Sequence, residues 1–281
     1  MTIFTSGAEI SQQTPPIAKG QRVFTAGHSF HVWVAPLLDE MARSAGIEGH
    51  EVAGVSSIGG STVLQHWNVP DTQESARKGL MSGQVDVLTL SPIWLPDEGI
   101  GNFVALGLEH NPDIRITVQE FWLPNDTYRP VYPLESNKVV DHDAATMPEL
   151  RKQHALYFND VDNHTRDLNA KSGRDAVLVV PAGQAVLALR EKIVAGRAPG
   201  LKKQAELFRD SWGHPAVPIE VLSGYCHFAV IYRRSPVGLP VARGLAQMEI
   251  TAEDMGALNL LLQELAWDAV IRHPLSGVLT L

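Results

Sequence analysis

Two short stretches carry the residue types needed for acyl transfer. Ser29 lies in RVFTAGHSFHVW, where an apolar run gives way to a helical pattern. Asp210 and His214 lie in FRDSWGHPAVP, a loop in which Gly213 and Pro215 favour a fixed turn. A serine hydroxyl becomes a nucleophile when a histidine accepts its proton, and that imidazole needs a carboxylate on its other ring nitrogen. The chain therefore contains the parts of a Ser-His-Asp arrangement.

Each of these residues also has a purely structural interpretation. Serine is a preferred helix N-cap residue, so Ser29 could serve only to satisfy a free N–H. Asp210 could cap a turn, and His214 could be a surface or packed histidine. His28 and His31 share the turn of Ser29, which makes it hard for either imidazole to fold back onto the hydroxyl. We interpret both histidines as pocket walls or substrate contacts.

The stretch SIGGS (57–61) follows a second apolar run and offers a further component. Gly60 can bring a backbone N–H close to a substrate oxygen, because no Cβ stands in the way. The same glycine also suits a tight turn that needs positive φ. Both roles can hold at once.

The elements that would position these residues alternate along the chain. Short β-rich runs alternate with longer helical patterns, which predicts parallel strands joined by crossover helices. The predicted strands are 22–26, 50–55, 85–90, 114–119 and 176–183. The predicted helices are Phe30–Arg43, Asp71–Ser82, Gly99–His110, one from Pro148 to Gly173 and one after the fifth strand.

Parallel sheets bind ligands outside the carboxyl ends of their strands. The positions just after the predicted strands hold Ser29, Gly60, Gln119 and Trp122. We expect these side chains and turns to face one pocket.

The chain is expected to form one domain, residues 21–281, behind a flexible leader at 1–20. A length of 281 residues with 44% hydrophobic content suffices for one large core. The one long departure from the alternation is 123–173, which we expect to cap the site and set specificity.

Composition excludes several classes of partner. With 23 basic against 31 acidic residues and no concentrated basic stretch, nucleic acid is not an expected partner. No apolar run approaches the roughly 20 residues that a membrane span requires. The start lacks the regions of a signal peptide, so we expect a cytoplasmic protein, or an exported one whose signal has been removed. Oligomeric state is not predicted.

No metal or cofactor is expected either. A single cysteine, Cys226, excludes an internal disulfide framework and any zinc site built on paired cysteines. The histidines show no His-x-x-x-His spacing and no accompanying cluster of carboxylates.

Taken together, the ordered motifs resemble the SGNH, or GDSL-like, hydrolase superfamily over residues 20 to about 235. GHSF resembles the GNSF variant of the first block in bacterial carbohydrate-esterase-like branches. The resemblance implies a three-layer α/β/α sandwich around a mostly parallel five-stranded sheet. It also implies that Ser29 is the nucleophile, His214 the base and Asp210 its orienting carboxylate. The N–H groups of Ser29 and Gly60 would bind the oxyanion.

The chain departs from the family pattern in two blocks. The family's late block is Asp-x-x-His, whereas DSWGH contains one residue more. Its third block is Gly-x-Asn-Asp, whose asparagine donates to the oxyanion, whereas this chain reads SPIWLPDEG. Asn102, or failing that Gln119, is our expected replacement donor.

The sequence therefore predicts a serine esterase or deacylase acting on an acyl ester, with a carbohydrate or other small molecule as substrate. Trp67, Trp94, Trp122 and Trp212 near strand ends could stack on sugar faces. The departure in the third block supports a second hypothesis, a catalytically weakened domain that binds a glycan or a protein. An acyltransferase would use the same residues.

Overall fold

The computed structural model describes residues 15–70, 72–73, 75–128 and 140–278. Most of the predicted leader, at 1–14, lies outside the described residues. So do Asp71, the expected first residue of one helix, and residues 129–139 of the long 123–173 segment.

The core is a five-stranded sheet in which every strand pair is parallel, with the order β2-β1-β3-β4-β5. The strands are β1 Arg22–Gly27, β2 Glu51–Ser57, β3 Val87–Leu90, β4 Arg115–Gln119 and β5 Val177–Val180. β3, β4 and β5 are buried along their whole length, as strands covered by helices on both faces should be. The predicted sheet is confirmed. The strand order reverses at β1, which places a crevice between β1 and β3.

Eight α-helices in the described residues cover the sheet. They are α1 Val34–Ser44, α2 Val63–Trp67, α3 Ala76–Met81, α4 Glu98–His110, α5 Met147–Ser172, α6 Ala182–Val194, α7 Val217–Tyr232 and α8 Ala252–Arg272. α1 packs on α7 and α7 on α8, while α2 and α3 pack on α4 and α4 contacts α5. Right-handed crossovers place these two groups on opposite faces of the sheet. The result is the predicted three-layer α/β/α sandwich.

Two predicted helices differ from the structure. α1 begins at Val34, not at Phe30, because His31 and Val32 both donate their N–H groups to the carbonyl of His28, at 2.9 and 3.1 Å. This turn uses the residues that were expected to open the helix. The predicted helix 71–82 is shorter, starting at Ala76, and the separate helix α2 precedes it.

The long segment 123–173 divides into two parts. Its helix, α5, begins at Met147 with Pro148 in the first turn and ends at Gly173, whose φ of 70° is left-handed. α5 packs against β5 and α6 as the crossover between β4 and β5. The first half of α5 contacts the segments at the carboxyl edge of the sheet, where the Tyr157 hydroxyl donates to the Pro92 carbonyl at 2.7 Å and His154 Nε2 accepts the Leu123 N–H at 3.1 Å.

A buried ion pair fixes the loop that precedes α5. The guanidinium of Arg190 is 1% exposed and contacts both carboxylate oxygens of Asp126, which is 8% exposed. His142 Nδ1 lies 2.9 Å from the same carboxylate, and Arg190 Nε donates to Gln204 Oε1 at 2.7 Å. Burial raises the pKa of Asp126, but hydrogen bonds from His142 and Arg190 outweigh burial and leave the pKa below its usual value.

Replacing Asp126 by Asn should therefore lower the free energy of unfolding by about 3–5 kcal/mol, because the Arg190 charge would stay buried without its partner. Asp39→Asn is the control, since its partner Arg43 is 75% exposed, and it should cost less than about 1 kcal/mol. Urea unfolding at pH 7 measures both.

The Asp126–Arg190 pair should also make the free energy of unfolding depend on pH. A carboxyl whose folded pKa is depressed stabilises the fold above its unfolded pKa of 3.8, and this contribution is lost as pH falls through the folded value. The difference in stability between wild type and Asp126→Asn should be constant above pH 5 and shrink only in stronger acid. A difference that shrank between pH 8 and 6 would contradict this assignment.

Candidate active site

Ser29 lies on the tight turn between β1 and α1, at the carboxyl edge of the sheet. Gly27 ends β1 where no side chain fits, because a Cβ there would lie 2.5 Å from His31 Nδ1. The indole N–H of Trp33 donates to the Ser29 carbonyl at 3.0 Å. The turn thus holds the serine hydroxyl in a fixed position beside the crevice.

The structure brings Ser29, His214 and Asp210 into one hydrogen-bonded line. His214 Nε2 lies 2.9 Å from Ser29 Oγ, and His214 Nδ1 lies 2.7 Å from Asp210 Oδ2. The other carboxylate oxygen of Asp210 accepts the backbone N–H groups of Trp212 and His214 at 3.0 and 3.2 Å. Burial raises the pKa of Asp210, but the bonds from His214 outweigh it and lower the pKa. An ionised Asp210 holds His214 in the tautomer whose Nε2 can accept the serine proton.

The additional residue in DSWGH is absorbed by the backbone of the loop. Gly213 adopts a φ of 91°, a conformation that side chains rarely adopt. Trp122 is buried and donates its indole N–H to the Gly213 carbonyl at 2.8 Å, and the Asn125 N–H donates to the Trp212 carbonyl at 3.0 Å. Trp122 was expected to contact substrate, but here it supports the loop that carries His214.

Ser29 and Gly60 line the same cavity. Gly60 has a φ of 60° and lines the cavity beside Ser29. Within the described residues, neither the Ser29 nor the Gly60 N–H donates a hydrogen bond to another protein group. Two such donors beside a serine hydroxyl can bind an oxyanion.

Asp97 fixes the loop that follows Gly60. Its carboxylate is buried and accepts the N–H groups of Val63 at 2.7 Å, Leu64 at 3.0 Å and Gly99 at 2.9 Å. These bonds join the start of α2, just after SIGGS, to the start of α4. Burial raises the pKa of Asp97, while the backbone donors act in the opposite direction. Our sequence reasoning did not single out Asp97, although an acidic residue just before a helical pattern is an N-cap signal.

Neither proposed replacement for the third-block asparagine lines the cavity. Asn102 lies on α4, one turn beyond its start, and is half-buried. Gln119 is fully buried, and both ends of its amide are engaged, by Phe30 and His227. The amide of Gln119 therefore cannot turn to a substrate oxygen without leaving two groups unpaired.

Gln119 belongs to a chain of hydrogen bonds behind the Ser29 turn. The distances are 3.0 Å from His31 Nε2 to Thr89 Oγ1, 3.5 Å from Thr89 Oγ1 to His227 Nδ1, 3.0 Å from His227 Nε2 to Gln119 Oε1, and 3.0 Å from Gln119 Nε2 to the Phe30 carbonyl. Burial lowers the pKa of His227 to about 3 and that of His31 well below its usual value, so both are neutral.

The direction of this chain follows from its last bond. The Gln119 amide donates to the Phe30 carbonyl, so its oxygen accepts, and the facing Nε2 of His227 must carry a proton. A neutral His227 then accepts at Nδ1 from the Thr89 hydroxyl. His28 Nδ1 accepts the Phe30 N–H at 3.3 Å, so side chains hold both the N–H and the carbonyl of Phe30, the residue after Ser29.

His28 lines the cavity, as expected, and is almost fully buried. Burial lowers its pKa to about 3, with nearby His66 acting in the same direction. A neutral His28 adds a polar wall without adding charge.

The cavity in front of Ser29 has a volume of about 290 Å³ and is mainly apolar. Its lining consists of His28, Ser29, Phe30, Gly59, Gly60, Ile93, Phe121, Pro124, Trp212 and His214. Phe30 packs against the His214 ring with centroids 4.9 Å apart. No local pattern indicated Ile93, Phe121 or Pro124, because they reach the cavity from separate loops.

One cluster of metal-ligand types occurs in the described residues, away from this cavity. His273 Nε2 lies 3.3 Å from Asp162 Oδ1 and 3.7 Å from Glu120 Oε2. Burial lowers the pKa of His273, but hydrogen bonds and charge from Asp162 and Glu120 outweigh burial and raise the pKa to about 9. These contacts hold the His273 ring between the carboxylates of Asp162 and Glu120.

The fold occurs in solved structures of low sequence identity. A DUF4886 family protein from Bacteroides uniformis superposes with a TM-score of 0.53 at 12% identity, over 90% of this chain and 95% of that one. A GDSL-like lipase from Parabacteroides merdae gives 0.43 at 13% identity, over 75% and 94%. Phospholipase A1 from Streptomyces albidoflavus gives 0.44 at 10% identity, over 76% and 99%. The predicted α/β fold around a parallel five-stranded sheet is confirmed by the sheet topology and is shared with the first of these structures.

Sequence comparisons give no match of either kind. No family model matches the chain, and no curated protein matches it.

No helix among the described residues combines the length and apolar character that a membrane crossing needs.

Removing the anchor of the Phe30 carbonyl should slow any reaction at Ser29. We expect Gln119→Leu to reduce the rate of fluorophosphonate labelling by about 10²-fold, because a shift of the turn by even 1 Å misplaces the hydroxyl. Intact mass spectrometry over time measures the rate, and circular dichroism checks that the variant is folded.

Asn102→Ala is the matched comparison. Because Asn102 does not line the cavity, its truncation should leave the labelling rate within about twofold, as for most half-exposed substitutions. A loss of labelling rate as large as that of Gln119→Leu would contradict this placement and support Asn102 as an oxyanion donor.

Proposed function

We propose that the protein is an SGNH-type serine hydrolase that cleaves an acyl ester through an acyl-enzyme on Ser29. The observation that carries the proposal is the pair of contacts at His214, 2.9 Å to Ser29 Oγ and 2.7 Å to Asp210. A helix cap needs no imidazole on its hydroxyl, and a surface histidine needs no carboxylate behind it.

The proposed reaction has two halves. Ser29 Oγ attacks the ester carbonyl carbon while its proton passes to His214 Nε2, and the carbonyl oxygen takes up negative charge near the N–H groups of Ser29 and Gly60. The imidazolium then protonates the leaving alcohol as the carbon–oxygen bond breaks. In the second half, water attacks the acyl carbon and gives a proton to His214. The imidazolium returns this proton to Ser29 Oγ as the bond between the acyl carbon and Oγ breaks, which releases the acid and free Ser29.

The cavity supports an apolar acyl group close to Ser29. The cavity lining includes Ile93, Phe121 and Pro124 and contains no Asp, Glu, Lys or Arg among the described residues. Burial of an acyl chain there is therefore favourable. Trp212 is the one tryptophan among our four candidates that lines the cavity. We propose that it contacts the alcohol part of the substrate, and a carbohydrate alcohol would use its face for stacking.

The other three candidate tryptophans have structural contacts, and partly buried Trp94 packs against the hydrophobic core. Trp67 packs edge-on against Phe103 at 5.2 Å, with the Arg77 guanidinium 5.4 Å from its ring. Trp122 is buried beneath the His214 loop. The case for a carbohydrate therefore depends on Trp212 alone.

A second candidate function is that of a binding domain with weakened catalysis. Two observations favour it. The Gln119 amide is already hydrogen-bonded to Phe30 and His227, and Asn102 does not line the cavity, so neither replaces the missing asparagine donor. One missing oxyanion donor typically costs about 10²–10³-fold in turnover. Acyl transfer to an alcohol acceptor would use the same first half-reaction, and product analysis in the presence of acceptors would distinguish it.

The deciding experiment is covalent labelling with a fluorophosphonate, read by intact mass and peptide mapping. We expect stoichiometric modification of Ser29 in the wild type and a rate at least about 10³-fold lower in His214→Ala, because an imidazole is required to take the serine proton.

His110→Ala is the control, since this histidine is exposed at the end of α4 and does not line the cavity. It should label at nearly the wild-type rate. Folded wild-type protein that stays unmodified would reject the hydrolase and leave Ser29 as a helix-associated polar residue of a binding domain.

A further inference from the structure

A second cavity, of about 470 Å³, lies at the opposite edge of the sheet from Ser29. Arg115, the first residue of β4, and Arg233, which follows α7, line it together with Arg174, which precedes β5. Because all strands are parallel, their amino ends lie at the edge away from Ser29. A five-residue strand spans about 16 Å, so this cavity is distinct from the candidate active site.

The arginines in this cavity are held by neutral groups. Arg115 is buried, and its two terminal nitrogens donate to the Ile231 carbonyl and to Gln21 Oε1, both at 2.8 Å. Arg174 donates to the Pro112 carbonyl. Arg233 Nε is buried and has no hydrogen-bond partner among the described residues. Within the same part of the chain, none of the three forms a salt bridge.

Placing Arg115 and Arg233 close together and away from water is electrostatically unfavourable. Burial lowers the pKa of Arg115 to about 10, and the charge of Arg233 lowers it further. Burial also lowers the pKa of Arg233. An anion placed between the buried guanidinium of Arg115 and the half-buried one of Arg233 would stabilise both charges. A guanidinium presents parallel N–H donors that match the oxygens of a phosphate group.

The rim of the cavity has a different chemistry. Asp113 and Asp175 are exposed and line it, so they can accept hydrogen bonds from hydroxyl groups. The volume exceeds what a bare phosphate ion would fill. We propose that this cavity binds a hydroxyl-bearing phosphomonoester, with its phosphate on Arg115, Arg174 and Arg233 and its hydroxyl groups at the two aspartates.

The test is isothermal titration of the full chain with glycerol 3-phosphate, inorganic phosphate, glycerol and acetate at constant ionic strength. Glycerol 3-phosphate should bind saturably and more tightly than inorganic phosphate, and glycerol and acetate should not bind. Arg233→Gln should weaken the binding of glycerol 3-phosphate at least about tenfold, since charge-assisted bonds are lost.

Arg197→Gln is the matched control, because it removes one positive charge from an exposed position that does not line the cavity. Its affinity should equal that of wild type. Equal affinity in Arg233→Gln and wild type, or acetate binding as tightly as glycerol 3-phosphate, would overturn the proposal.

Two measurements keep this outcome separate from misfolding and from the proposed function. If circular dichroism shows that Arg233→Gln is unfolded, Arg174→Gln replaces it, because Arg174 is exposed and can lose its charge without a buried defect. Fluorophosphonate labelling of Ser29 should be the same in Arg233→Gln as in wild type. Phosphomonoester binding and serine reactivity can therefore succeed or fail independently.

Discussion

The hydrogen bond of 2.9 Å between Ser29 Oγ and His214 Nε2 is the contact on which the proposed chemistry depends. Its two partners lie on separate loops, far apart in the chain, and a hydrogen bond tolerates only a few tenths of an ångström. The turn of Ser29 and the loop of His214 must therefore both be fixed by contacts outside themselves. Much of the polar interior at this edge of the sheet serves that requirement.

The two loops are fixed in different ways. Behind Ser29, neutral histidines and an amide form a one-way chain of hydrogen bonds that ends on the Phe30 carbonyl. Behind His214, the Trp122 indole holds Gly213, and His142 Nε2 lies 3.3 Å from the Asp210 carbonyl. The second support leads to the buried Asp126–Arg190 pair. A low-dielectric interior makes each of these bonds strong when its groups are paired and costly when one is left unpaired.

The cavities at the two edges of the parallel sheet also differ in charge. At the carboxyl edge, the cavity beside Ser29 is lined by apolar side chains and a neutral His28, which suits an uncharged acyl group. At the amino edge, three guanidinium groups line a cavity whose rim carries Asp113 and Asp175, and none of the three forms a salt bridge within the described residues. Because the strands are parallel, the apolar cavity and the arginine-lined cavity lie at opposite edges of one sheet.

The sequence by itself determined the sheet, the α5 boundaries and the stretches containing Ser29, Gly60, Asp210 and His214. Local patterns suffice there: alternating runs set the strands, proline and glycine mark a helix, and short motifs carry residue types. Only the tertiary structure decided which polar groups are free to act. Gln119 lies at a strand end as predicted, yet its amide is occupied by Phe30 and His227, and Asn102 lies outside the cavity. Hydrogen-bond partners distant in sequence leave no local pattern, so neither the support of the loops nor the arginine cavity could be predicted.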